Sequence, residues 1–102
     1  MKEIYHLPTE QIKLTHVLHA LSDQTRLRIF LKLKNIGEHS CQDLDVSMAK
    51  STLSHHIRVL RESGVIKIRS EGTQRFVSLR CNDLEARFPG LLEVILSASE
   101  PF

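Results

Sequence analysis

Residues 50–80, KSTLSHHIRVLRESGVIKIRSEGTQRFVSLR, allow few local architectures. Leu53, Ile57 and Leu60 recur at helical spacing, so they share one face of a helix running from about Lys50 to Glu62. Ser51, Thr52, His55, Arg58 and Glu62 then project roughly opposite. Ser63-Gly64 stops the helix, and Val65–Ser70 and Thr73–Arg80 read as strands across a turn at Glu71-Gly72. Ile66 and Ile68, and Val77 and Leu79, fall on single strand faces, with Lys67 and Arg69 facing out. This third of the chain has seven basic side chains against two acidic ones, a net +5. Residues 1–49 balance six against six, and residues 81–102 come to −3, so the overall +2 conceals an uneven distribution. A basic helix beside a basic ribbon is the electrostatic footprint of a polyanion binder.

The rest of the chain bounds the possibilities. At 102 residues, with 41% apolar and 25% charged side chains, one soluble globular domain is expected over 1–102. No apolar run nears the roughly 20 residues that span a bilayer, so no membrane partner is expected. MKEIYHLPTEQ lacks the features of an export signal, and two cysteines, Cys41 and Cys81, make no disulfide framework. A cytoplasmic protein with reduced thiols is the expectation. A Gly-rich phosphate loop, HExxH and GxSxG are all absent, so no enzyme and no cofactor is expected.

Before the basic region, Pro8 and Thr9 open a first helix, Leu7 to Leu21, whose apolar side is Leu14, Val17, Leu18 and Leu21. Ile12, His16 and His19 lie on its back. Ser22 or Asp23 caps a second helix, with Leu27, Phe30, Leu31 and Ile36 inward and Gly37 at its end. Ser40 and Asp43 have the spacing of a capping box for a short helix, Cys41 to about Val46, and Ser47–Ala49 form a tight turn. Short helix, turn and exposed polar-basic helix make a helix-turn-helix, whose second helix enters a major groove. Asn82 and Glu85 start a further helix carrying Leu84 and Phe88, which breaks at Pro89-Gly90 and resumes from Leu91 to Ser99. Leu91, Val94 and Ile95 on one flank, and Leu92 and Leu96 on the other, are more apolar surface than a terminal helix can leave bare. A homodimer interface is therefore expected from Leu14, His16, His19, Leu91, Leu92, Ile95 and Leu96, on terminal helices at about 7–21 and 83–99.

The fold class expected is mainly α with a small β-hairpin wing; the order helix, helix, helix-turn-helix, ribbon, helix is similar to a winged helix-turn-helix, here dimeric. Duplex DNA is the expected partner. Lys50, Ser51, Thr52, Ser54, His55, Arg58, Arg69, Thr73, Gln74 and Arg75 are the expected contacts. Small hydroxyls at a helix start suit close approach to phosphates and base edges, while arginines suit the backbone; Arg61 is placed with Arg58 there. His56 lies nearer the apolar face and reads as a packed, hydrogen-bonded histidine. The bland alternative is a solubilising charged surface. An RNA-binding module would offer aromatic stacking surfaces, yet Phe76 is the only aromatic in the basic region. A protein-binding winged helix would tolerate an acidic recognition face, and this one is basic.

Three strings carry a family resemblance. ALSDQTRLRIFLKL at 20–33 resembles the second-helix motif of the ArsR/SmtB family of bacterial repressors. STLSHHIRVLRESGVI at 51–66 resembles its recognition helix and exit, and EGTQRFVSL at 71–79 resembles its wing. The resemblance covers roughly residues 10–97. It implies a homodimer held by the first and last helices, two recognition helices in successive major grooves, and repression released by a small effector. In this family a thiol pair for arsenic or cadmium lies in a string like ELCVCDL, where this chain reads Glu38-His39-Ser40-Cys41-Gln42-Asp43-Leu44. Ser40 and Gln42 stand at the cysteine positions. Zinc-sensing members place Asp and His pairs on the last helix, but no histidine follows residue 82 here. Neither familiar metal site is expected. His16 and His19 make half a chelating site, and Cys41 with Cys81 leaves a thiol-responsive or metal-responsive repressor open as the alternative.

Overall fold

A computed structural model describes residues 4–41, 44 and 48–99. The first helix is not continuous. Thr9–Gln11 forms one 3-10 turn, Ile12 returns to extended backbone (φ −74°, ψ 123°), and α1 spans Leu14–Ala20. The break has a tertiary cause. The Ile12 carbonyl accepts from Arg87 Nε (3.1 Å) and Nη2 (2.8 Å) instead of from a helical amide, and its side chain is fully buried. The interruption changes the inward face: Ile12, Val17 and Ala20 are buried, while Leu14 and Leu18 are 43% and 48% exposed.

Helix α2 spans Gln24–Ile36 and is capped by Asp23, whose carboxylate accepts from the Arg26 amide at 3.1 Å. Its buried stripe is Arg26, Ile29, Phe30 and Leu33, an i, i+3, i+4, i+7 set headed by a charged residue. Leu27 and Leu31, expected inside, are half-buried, and Ile36 is 48% exposed. Gly37 ends the helix with φ 76°. His39–Ser40 then forms a short strand, β1. The short helix Cys41–Val46 and the start of the following turn fall largely on 42–43 and 45–47, outside the described residues.

Helix α3 spans Lys50–Glu62, with Ile57 and Leu60 buried and Leu53 half-buried. It ends as a Schellman motif: Val65 N–H donates to the Leu60 carbonyl (3.0 Å) and Gly64 N–H to that of Arg61 (3.1 Å). Gly64 has φ 88°, and a Cβ there would lie 2.7 Å from Ile12 Cγ1. Strands β2 (Ile66–Glu71) and β3 (Gln74–Leu79) pair antiparallel from Ile66↔Leu79 to Glu71↔Gln74. The two-residue turn is therefore Gly72-Thr73, one residue later than expected, with Gly72 at φ 62°. β1 pairs with β3 through His39↔Val77 and Ser40↔Phe76, giving the order β1-β3-β2. The ribbon is thus part of a three-stranded sheet.

Helix α4 spans Cys81–Arg87 and α5 spans Leu91–Ala98. Arg80, not Asn82, is the first cap position, and its buried guanidinium donates from Nε to Asp83 at 2.9 Å. Glu85 serves the other end, where its carboxylate accepts the Gly90 amide at 3.0 Å. Thr9 donates to Asp83 at 2.6 Å, so the N-terminal segment is tied to α4 at Thr9 and at Ile12. One core gathers Phe30, Ile29 and Leu33 of α2, Leu60 of α3, the inner faces of β2 and β3, Leu84, Leu92 and Leu44. Among the described residues no helix is long and apolar enough to cross a membrane.

Candidate nucleic-acid interface

The inner residues of α3 fix its orientation. Burying Ile57 and Leu60 leaves Lys50, Ser51, Thr52, Ser54, His55 and Arg58 exposed. The N-cap position is Ala49, whose side chain caps nothing, so first-turn amides are left without a side-chain partner there, beside Ser51 and Thr52. That end carries the positive part of the helix dipole. Thr73, Gln74 and Arg75 lie exposed at and after the hairpin turn.

The seven cations of residues 50–80 are not equivalent. Lys50, Arg58, Lys67 and Arg75 are exposed and make no ion pair among the described residues. Arg69, an expected phosphate contact, is engaged by carboxylates. Its guanidinium is forked against Glu38, with Nε and Nη2 at 3.0 and 2.9 Å from the two carboxylate oxygens, and Nη1 pairs with Glu71. Its Cζ also lies 4.7 Å from the Phe76 ring centroid. These hydrogen bonds hold the Glu38 carboxyl below its ordinary range and raise the already high pKa of Arg69. Arg61 donates to the Tyr5 carbonyl at 2.8 Å, which binds the N-terminal segment to α3. Arg80 is 7% exposed and paired with Asp83, so it contributes little to an outward field.

His56 is half-buried, as its place on the helix predicts. Its Nδ1 lies 3.2 Å from Arg26 Nη1 and 4.0 Å from Asp23 Oδ2. Arg26, which sequence reasoning passed over, is the link between elements: Nε donates to the Ala20 carbonyl at 2.6 Å at the end of α1, and Nη1 faces His56 on α3. The signal was available, since Arg26 follows the capping Asp23 by three residues and heads the buried stripe of α2. His6 has a structural role. Its Nε2 accepts the Ile68 amide at 2.9 Å along the outer edge of β2, which closes that edge of the sheet. Burial, then the charges of Arg80, Arg61 and Lys67, push the His6 imidazole below 6.5.

On the terminal helices, Leu14, Leu18 and Val94 are exposed, and Leu91, Ile95 and Leu96 are half-buried. His16 and His19 face solvent on α1. Leu92, expected in an interface, is 6% exposed and fills the subunit's own core. Cys41 and Cys81 are both half-buried free thiols, and burial pushes the Cys41 thiol upward, with Arg75 opposing. Among the described residues no three His, Cys, Asp or Glu side chains converge as a metal site; Gln42 and Asp43 lie outside them.

A helix-turn-helix domain model matches residues 21–69, which covers α2, α3 and the start of the wing. The chain is 35% identical over 89 residues to the uncharacterized HTH-type transcriptional regulator YceK of Bacillus subtilis, covering 84% of this chain and 88% of that protein. It superposes on a crystal structure of an ArsR family transcriptional regulator with a TM-score of 0.63 at 25% identity, over 93% of this chain and all of the other. The homodimeric winged helix-turn-helix DNA-binding domain of a possible ArsR-family regulator from Mycobacterium bovis gives 0.66 at 27% identity, over 82% and 78% of the two chains. With the exposed face of α3, the wing and these relatives in agreement, the chain belongs to the ArsR/SmtB family of winged helix-turn-helix transcriptional regulators.

Proposed function

We propose that the chain, folded as one domain over 1–102, is a repressor that binds an inverted-repeat operator as a homodimer and is released by a small effector. The observation that carries this reading is the outward side of α3. Ser51, Thr52, Ser54 and His55 stand beside Lys50 and Arg58, with the free cation Arg75 on the adjoining wing. Hydroxyl and imidazole groups read base edges, and the cations hold phosphates. Thr73 and Gln74 approach the backbone from the wing tip, and Arg69 joins only if its carboxylate partners yield.

The dimer face runs over Leu14, Leu18, Leu91, Val94, Ile95 and Leu96, flanked by His16 and His19. Its support is apolar exposure on both terminal helices, Val94 at 63% being the largest. Two-fold symmetry then spaces the half-sites about one DNA turn, roughly 34 Å, or a multiple of it apart. Phe76, the one aromatic of the basic region, is half-buried with the Arg69 guanidinium over its ring, a poor platform for stacked bases, which disfavours single-stranded RNA. With Ser40 and Gln42 at the family's thiol positions, the released state is assigned to an effector other than a tightly held zinc, cadmium or arsenite. Gel shifts with selected genomic duplexes, RNA of the same sequence and an anionic polymer test the reading. Preference for the selected duplex is expected, and equal retention of all three would overturn it.

A further inference from the structure

A cavity of about 710 Å³ lies between α3 and the sheet. Its size is that of a small-molecule site. The floor is apolar, built from Met48, Leu53, Ile57 and Ile68, with Cys41 in the wall. Lys50, Arg58 and Arg75 stand at its rim, and Arg61, engaged with the Tyr5 carbonyl, adds a fourth cation. No carboxylate appears among its described lining residues. DNA phosphates account for the rim, since a charged oxygen needs only the cations. Ile57 and Ile68 belong to the core and are 7% and 8% exposed, so the accessible apolar surface below the rim is mainly that of half-buried Met48 and Leu53, for which phosphates have no use.

We infer that this cleft binds an amphipathic organic anion, a compact apolar body ending in a single carboxylate or equivalent acid. The body covers Met48 and Leu53 and reaches the small exposed parts of Ile57 and Ile68, and the acid group sits between Arg58 and Arg75. Such a ligand occupies the cations that the proposed DNA-binding face uses, so ligand and duplex exclude each other directly. This deepens the repressor reading above and rests on it, by naming the class of effector and where it acts. Cys41 borders the apolar body, and its raised pKa suits a neutral wall group.

The test uses the 102-residue chain with hexanoate, octanoate and decanoate, kept below micelle formation, and uncharged 1-octanol as control. Calorimetry should show affinity rising about fourfold per buried methylene, and octanoate binding at least about tenfold tighter than 1-octanol. Arg75→Gln should weaken octanoate about tenfold. Cys41→Phe, which fills the cleft from its wall, should abolish octanoate binding and leave duplex affinity within about threefold. Should Cys41→Phe fail to fold, by circular dichroism, the chain-length series and Arg75→Gln still decide. Octanoate should also displace labelled selected duplex competitively from the wild type. An affinity independent of chain length, wild-type octanoate binding by a folded Cys41→Phe, or saturation without loss of duplex overturns the inference. Discrimination of selected from scrambled duplex, measured in the same samples without ligand, separates the two claims. Discrimination without octanoate binding sinks the effector site alone; octanoate binding without discrimination sinks the repressor reading and leaves the anion site standing.

Discussion

Replacing Gly64 by alanine should destabilise the fold through two separable effects. Gly64 has φ 88°, in the left-handed region where an L side chain costs about 1–2 kcal/mol. The new Cβ would also lie 2.7, 2.9 and 3.1 Å from Cγ1, Cδ1 and Cγ2 of Ile12. Ile12 is fully buried and its carbonyl is held by Arg87, so it has little room to retreat. Overpacking of this kind costs about 1–3 kcal/mol. The stiffer unfolded chain gives back about 0.4–1 kcal/mol, which leaves a net loss of about 1–5 kcal/mol. That is a large share of the roughly 5–15 kcal/mol that holds a small domain together. Urea unfolding at one fixed protomer concentration, because the stability of the proposed dimer would depend on it, measures the loss directly. Ile12→Ala removes all three clashing atoms and by itself costs about 2–5 kcal/mol. Combined with Gly64→Ala, it should be milder than the sum of the single changes by about 1–3 kcal/mol, since the new methyl enters the vacated space. Additive losses would refute the clash, and an unchanged Gly64→Ala midpoint would refute both effects.

Three further outcomes follow from particular contacts. The folded state holds His6 below 6.5, so the unfolded chain takes up the proton first; stability is complete above pH 6.5 and declines as pH falls below it toward the folded pKa. His6→Gln, whose amide oxygen can still accept the Ile68 amide, should flatten that decline in pH-dependent unfolding; an unchanged pH profile counts against the assignment. Neutralising both partners of Arg69, by Glu38→Gln with Glu71→Gln, should tighten binding to all duplexes and steepen the log-log salt slope by up to about one, measured by fluorescence anisotropy. Ile95→Glu should shift the sedimenting mass from dimer to monomer at micromolar concentration with the helical signal largely kept, and a monomeric wild type would end the dimer proposal.

What the sequence makes legible here is local. α3 begins at Lys50 and ends at Glu62, as its periodicity and Gly64 predict, because both depend on neighbours a few residues away. The capping role of Asp23 and the stop at Gly37 are legible for the same reason. The errors come from long-range contacts. The first helix breaks at Ile12 because Arg87, far along the chain, takes its carbonyl. The stripe of α2 is rotated because a buried Arg26, satisfied by Ala20 and facing His56, occupies a position that hydrophobicity would give to leucine. β1 exists because β3 offers it a free edge, a property of the sheet that the pair His39-Ser40 does not carry itself. For the candidate site, the exposed α3 residues were legible from helical geometry. The cations were not, since counting Arg69 and Arg80 as available charge ignores the carboxylates that engage them.

The central claim is that α3 reads bases while the cations hold phosphates. Its most direct measurement is the affinity of the wild type, Thr52→Ala and Arg75→Ala for a selected and a scrambled duplex, across a range of salt concentrations. The wild type should prefer the selected duplex throughout. Thr52→Ala should erode that preference by about 1–3 kcal/mol, the value of a good base contact, without changing the salt slope. Arg75→Ala should weaken both duplexes alike and reduce the slope by about one. Equal wild-type affinity for the two duplexes at moderate salt, or a preference untouched by Thr52→Ala with an unchanged slope for Arg75→Ala, would contradict the claim.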